Sequence, residues 1–227
     1  MLVHHYLEYY ARNNPDLPCL SEGGTTTSYG DVEQLSNRLA QGLLQLGVGK
    51  GERVAVLGEN SLEHLLLFMA ASKIGAVTVS LNYRLAAAEL AFIIADANTR
   101  VLLALDGMEQ TLEQLRGQLP DDITVITHDQ PDSLQWQDWV SSFPAEKPAV
   151  EVTPSDAYIQ LYTSGTTGNP KGVVSSHFNM LSLVTMNSTA TPHRPNPGMA
   201  TILCAPLFHI GGAGSIAFNI CAGIHTL

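Results

Sequence analysis

The chain has 227 residues, 45% of them hydrophobic, and a formal net charge of −10. That is apolar content enough for a sizeable core, which excludes global disorder, and the acidic balance argues against nucleic acid as a main partner, since a phosphate backbone demands a basic face. Three cysteines without C-x-x-C spacing exclude a disulfide framework, and eight histidines without paired ligand spacing predict no metal site. No apolar run reaches the ~18 residues a membrane helix needs, and the first residues lack a signal peptide's basic start and apolar core, so a soluble cytoplasmic protein is expected, with no transmembrane segment.

The predicted elements follow in chain order. Leu2 to Asn13 reads as a helix ending before Pro15. Ser28 and Asp31 form a capping-box pattern ahead of Val32, Leu35, Leu39, Leu43 and Leu46 at helical spacing, with Gly47 as the stop. Three apolar strands are then expected at Arg53 to Leu57, Ala76 to Leu81 and Val101 to Leu105. They are separated by a helix that Asn60 and Glu63 would cap, running to Ile74, and by a second helix at Ala86 to Ala95. A further unit follows, helix near Met108 to Leu119 and strand at Ile123 to Thr127. Apolar strands alternating with helices define an α/β fold, a parallel sheet covered on both faces by βαβ crossovers.

Asp129 to Thr153 reads as a polar excursion anchored by Trp136 and Trp139. Ala157 to Leu161 is a strand; His177 to Thr189 is a helix with Ser175 or Ser176 near its N-cap. Thr201 to Cys204 is a short strand leading to a glycine-rich apolar tail, and the chain reads as cut through an apolar region, which would favour self-association.

The chemistry is concentrated in Tyr162-Thr163-Ser164-Gly165-Thr166-Thr167-Gly168-Asn169-Pro170-Lys171-Gly172. Three glycines, four aliphatic hydroxyls and one lysine in eleven residues suit a polyphosphate. Backbone N–H groups approach closely where no Cβ intervenes, and successive N–H groups form an anion-holding concavity. The run is not a Walker A motif, because Pro170 precedes the lysine and Gly172 follows it. Histidines aside, Lys171 is the only basic residue between Lys147 and Arg194. A nucleoside triphosphate would therefore rest on dipoles and hydroxyls, with a divalent cation such as Mg2+ supplying the missing charge.

The run resembles the phosphate loop of the adenylate-forming enzymes, which include acyl-CoA synthetases and the adenylation domains of peptide synthetases. Ser28-Tyr29-Gly30-Asp31 is similar to that family's "T-Y-x-E-L" segment. Gly75 to Leu85 with Glu89-Leu90 is similar to its "G-A-V-x-V-P-L-N-x-R-L … E-L", with Ser80 where proline is usual. Ala205-Pro206-Leu207-Phe208-His209 is similar to its "P-L-F-H". The resemblance implies that a carboxylate attacks ATP to give an acyl-adenylate, which then passes to the thiol of coenzyme A. Thr163, Ser164, Gly165, Thr166, Thr167, Gly168 and Lys171 would bind the ATP phosphates, and His209 would line the acyl and adenylate pocket.

Residues 1–227 would then be a partial N-terminal domain of an acyl-CoA synthetase, inactive alone. The family's "Y-G-x-T-E" segment, ribose-binding aspartate and catalytic lysine would lie beyond Leu227, so Lys171 is not that lysine. The expected partner is a small carboxylic acid, a fatty acid by preference, and the oligomeric state stays open, a homo-oligomer included. Asn82 and Arg84 read as residues holding a strand-to-helix turn, and His177 as a residue that starts its helix. Two other readings are an adenylation domain that loads a carrier protein and a non-catalytic nucleotide-binding module.

Overall fold

A computed structural model describes residues 1–128, 133–163, 169–190 and 195–227, and the side chain of Ala190 is outside that description. Helix α1 (Val3–Asn13) is followed by a hairpin of β1 (Pro18–Glu22) and β2 (Thr25–Ser28), then by α2 (Tyr29–Gln45). The α2 capping box is reciprocal. Ser28 Oγ accepts the Asp31 N–H at 3.1 Å, and Asp31 Oδ2 accepts the Ser28 N–H at 3.3 Å. Gly47 ends the helix with φ +78°, a left-handed conformation that a Cβ disfavours.

The expected βαβ series forms as β3 (Arg53–Leu57), α3 (Leu62–Ile74), β4 (Val77–Leu81), α4 (Ala87–Asp96), β5 (Thr99–Ala104), α5 (Glu109–Leu115) and β6 (Thr124–Thr127). The α3 cap differs from expectation. Ser61, not Asn60, is the N-cap and accepts the His64 N–H at 3.2 Å, because Asn60 is turned to a distant partner. The excursion after β6 contributes a two-residue strand, β7 (Leu134–Gln135), and a short helix, α6 (Trp136–Ser141). Trp136 is buried and Trp139 packs against the same core.

Strand β8 (Ala157–Thr163) runs parallel to β4, and β9 (Lys171–Ser176) returns antiparallel beside it. The sheet order is β7-β6-β5-β3-β4-β8-β9. Strand β9 is not among the elements expected from the sequence. It is an edge strand whose valines are exposed, so no burial alternation marks it. Helix α7 (His177–Ala190) follows, with Ser176 Oγ accepting the Asn179 N–H at 3.2 Å. The glycine-rich tail forms α8 (Ile210–Ala222), flanked by β10 (Ala200–Thr201) and β11 (His225–Thr226). With β1 and β2 these make a second sheet in the order β10-β11-β1-β2.

Alternation along β3 shows how the large sheet is covered. Val54 and Val56 join the core beneath α1, α2, α3 and α8, while Ala55 and Leu57 join the core beneath α4 and α5. Burial on both faces explains the near-continuous apolar reading of these strands. Between α2 and α3, the buried Lys73 ammonium donates to Glu33 Oε2 at 2.8 Å, Ser36 Oγ at 2.8 Å and Asn37 Oδ1 at 2.6 Å. Burial pushes its pKa down, and the Glu33 carboxylate opposes that.

Candidate functional site

The site forms where parallel strands end. Strands β3, β4 and β8 point the same way, so Gly58 to Asn60, Asn82 to Arg84 and the end of β8 at Thr163 lie at one edge of the sheet. Crevices outside the carboxyl ends of parallel strands are where open α/β sheets bind ligands. Thr163 and Lys171 face one another as the last register pair of the β8–β9 hairpin, and both are exposed. The two ends of the glycine-rich run are thereby tied together. Ser164, Gly165, Thr166, Thr167 and Gly168 lie outside the described residues.

The hairpin beneath this run is sterically set. A Cβ on Gly172 would collide with the Gln160 amide and come within 2.9 Å of Tyr162 Cζ, so glycine lets these side chains cross the pair of strands. The Gln160 amide donates to the Tyr162 hydroxyl at 3.0 Å, and that hydroxyl donates to Asp96 Oδ2 at 2.5 Å. Burial, then the Asp96 carboxylate, pushes the Tyr162 pKa up, so the phenol stays a protonated donor. Arg53 Nε reaches Gln160 Oε1 at 3.4 Å, linking β3 to the hairpin.

The Pro206-Leu207-Phe208-His209 segment is brought to the same edge by Asn60. Its Nδ2 donates to the Ala205 carbonyl at 3.0 Å, and its Oδ1 accepts the Leu207 N–H at 2.8 Å. Phe208 meets Tyr83 edge to face at 5.6 Å, and the Arg84 guanidinium lies 5.9 Å from the Phe208 ring. His209 is the N-cap residue of α8, exposed, with its ring 4.9 Å from that of Phe208. A Cβ on Gly212 would fall within 2.8 Å of the Ala205 carbonyl oxygen and closer still to that of Pro206. Only glycine lets the first turn of α8 pack against this segment.

Asn82 serves the turn after β4 as expected: its Oδ1 accepts the Arg84 N–H at 3.1 Å. Residues that pattern reading missed are Asn60, Gln160 and Asp96. Their roles depend on contacts 147, 107 and 66 residues away along the chain, and no local signal marks them.

Together these features define an α/β domain whose β8–β9 hairpin brings the two ends of a hydroxyl- and glycine-rich run together at the carboxyl edge of its sheet. The sequence matches the family of AMP-binding enzymes over residues 7–227, and the chain belongs to that family. It is 34% identical over 220 residues to the long-chain-fatty-acid--CoA ligase FadD13 of Mycobacterium tuberculosis, covering 96% of this chain and 43% of that protein. It is 31% identical over 219 residues to the fatty acid--[acyl-carrier-protein] ligase ScoC of Streptomyces coeruleorubidus, covering 95% of this chain and 41% of that one. The crystal structure of the inhibitor-bound N-terminal domain of FACL13 from M. tuberculosis superposes with a TM-score of 0.89 at 32% identity, covering 99% of this chain and 56% of that chain. The chain therefore spans less than half the length of these two curated relatives. Among the described residues no helix is long and apolar enough to cross a membrane.

Proposed function

We propose that the complete protein is an AMP-forming acyl-CoA synthetase that activates a carboxylic acid, a fatty acid by preference. One observation carries the reading. The Thr163–Lys171 pair closes the glycine-rich run at the carboxyl edge of the sheet that also receives Phe208 and His209. In this reading a phosphate site and an acid site are neighbours, as attack of a carboxylate on ATP demands.

In this reading Thr163, Ser164, Gly165, Thr166, Thr167, Gly168 and Lys171 hold the β- and γ-phosphates. Hydrogen bonds to a charged group contribute about 1.5–3 kcal/mol each, and they steady the pyrophosphate as the bond to the α-phosphate breaks. Mg2+ supplies the positive charge that a single lysine cannot. His209, exposed beside Phe208, borders the acyl and adenylate space. The carboxylate oxygen attacks the α-phosphorus and pyrophosphate leaves. The thiol of coenzyme A then attacks the acyl carbon and AMP leaves. Residues 1–227 hold the phosphate loop and one wall of the acid site, and on their own they are inactive.

A second reading, transfer to a carrier-protein thiol, is favoured by the similarity to a relative named as a carrier-protein ligase. The test is the paired substitution Thr166→Val and Thr167→Val in the full-length protein. ATP affinity falls several-fold with the fold unchanged; unchanged affinity and turnover would sink the assignment. Comparing coenzyme A with a carrier protein as acceptor separates the two readings.

A further inference from the structure

A second cluster of chemistry-bearing side chains lies on the first helix. His4, His5 and Glu8 each place one ligand-capable atom within 4.8 Å of the others. His4 is buried; its Nδ1 lies 2.7 Å from Ser72 Oγ on α3, and its Nε2 is 3.9 Å from Glu8 Oε1. With Nδ1–H donating to Ser72, Nε2 presents its lone pair, the arrangement that outer hydrogen bonds impose on metal-binding imidazoles.

The start of α7 borders the cluster. His177 is completely buried, and neither of its ring nitrogens has a hydrogen-bond partner among the described residues. Its ring lies 6.1 Å from that of His4 and 4.8 Å from that of Tyr158. A groove of about 410 Å³ lined by His5, Glu8, Tyr6 and Arg12 gives access.

We propose that His4, His5 and Glu8 form a site for a divalent transition-metal ion of the zinc class, with water completing its coordination. Imidazole and carboxylate donors suit Zn2+, Ni2+ or Co2+, whereas Mg2+ takes oxygen ligands. The Lys147 ammonium, 2.6 Å from Glu8 Oε1 and half exposed, competes for the same carboxylate and must swing away as the ion enters.

Untagged full-length protein is titrated with Co2+, reading the visible absorption of the four-coordinate ion and then its displacement by Zn2+. One equivalent binds with that spectrum. Glu8→Gln and His5→Ala each weaken binding at least about tenfold, as loss of even an outer-shell partner does. Lys147→Gln tightens it, an effect that a merely structural role for the cluster would not produce. Absence of the spectrum at one equivalent overturns the proposal. So does an affinity unchanged in both Glu8→Gln and Lys147→Gln. Should Glu8→Gln fail to fold, the surface variant Lys147→Gln decides alone.

Discussion

Asn60, just past the end of β3, holds the main chain at Leu207 from both sides, accepting its N–H at 2.8 Å and donating to the Ala205 carbonyl at 3.0 Å. One side chain thereby fixes where Phe208 and His209 lie relative to the carboxyl edge of the sheet. Asn60→Ala leaves two partly buried backbone groups unpaired, a cost of about 1–3 kcal/mol. The expected outcome in the full-length enzyme is a lower thermal midpoint and a KM for the acid raised more than that for ATP. An equal rise in both would show that Asn60 supports the whole edge rather than the acid side.

Gly172 tests the hairpin under the loop. Gly172→Ala drives a methyl group into Gln160 and Tyr162, and overpacking of this kind costs typically ~1–3 kcal/mol. Weaker ATP binding is expected, measured by calorimetry on the full-length protein. Adding Gln160→Ala removes the nearer obstruction and should restore part of the loss. If the double variant binds no better than the single one, Gln160 is not the obstacle.

The Lys73 network is a matter of stability rather than catalysis. Glu33→Ala strands a buried ammonium and should cost about 3–5 kcal/mol, whereas replacing the pair, Lys73→Met with Glu33→Leu, should cost far less. Denaturant unfolding of the two variants provides the comparison, and equal losses would mean that the ion pair is not the controlling feature.

Buried neutral histidines make stability depend on pH with a definite sign. Burial lowers His64 to about 4, below the ordinary value of 6.5. Between those values the unfolded chain takes up a proton that the native state refuses. Stability is therefore complete above about 6.5, is lost as the pH falls, and levels off for this group below about 4, with a slope near 1.4 kcal/mol per pH unit. Thermal midpoints from pH 7 to 4.5 should fall, and His64→Gln, which can still bond Ser80, should flatten part of that slope. An unchanged slope would remove His64 as a contributor.

The regular part of the fold was legible because its signals are local. Strand β3 and the Ser28–Asp31 cap fall where apolar runs and capping residues put them. Elements that depend on remote pairing were not legible. Strand β1 meets β11 through Leu20 and Thr226, and no pattern near either residue announces the partner. Strand β9 was hidden because its valines face outward at the sheet edge. The site divides the same way. The hydroxyl and glycine run and the Pro-Leu-Phe-His segment stand out as motifs, while Asn60 and Gln160, which place them, are ordinary polar residues until the chain is folded.

The most direct test of the central claim is carboxylate-dependent ATP–pyrophosphate exchange on the full-length protein and on residues 1–227, with short, medium, long and aryl acids. Exchange by the full-length protein, strongest with a fatty acid, and none by residues 1–227 is the predicted result. No exchange by the full-length protein with any of the acids would contradict the proposed reaction, and exchange by residues 1–227 would show that the catalytic groups have been misplaced.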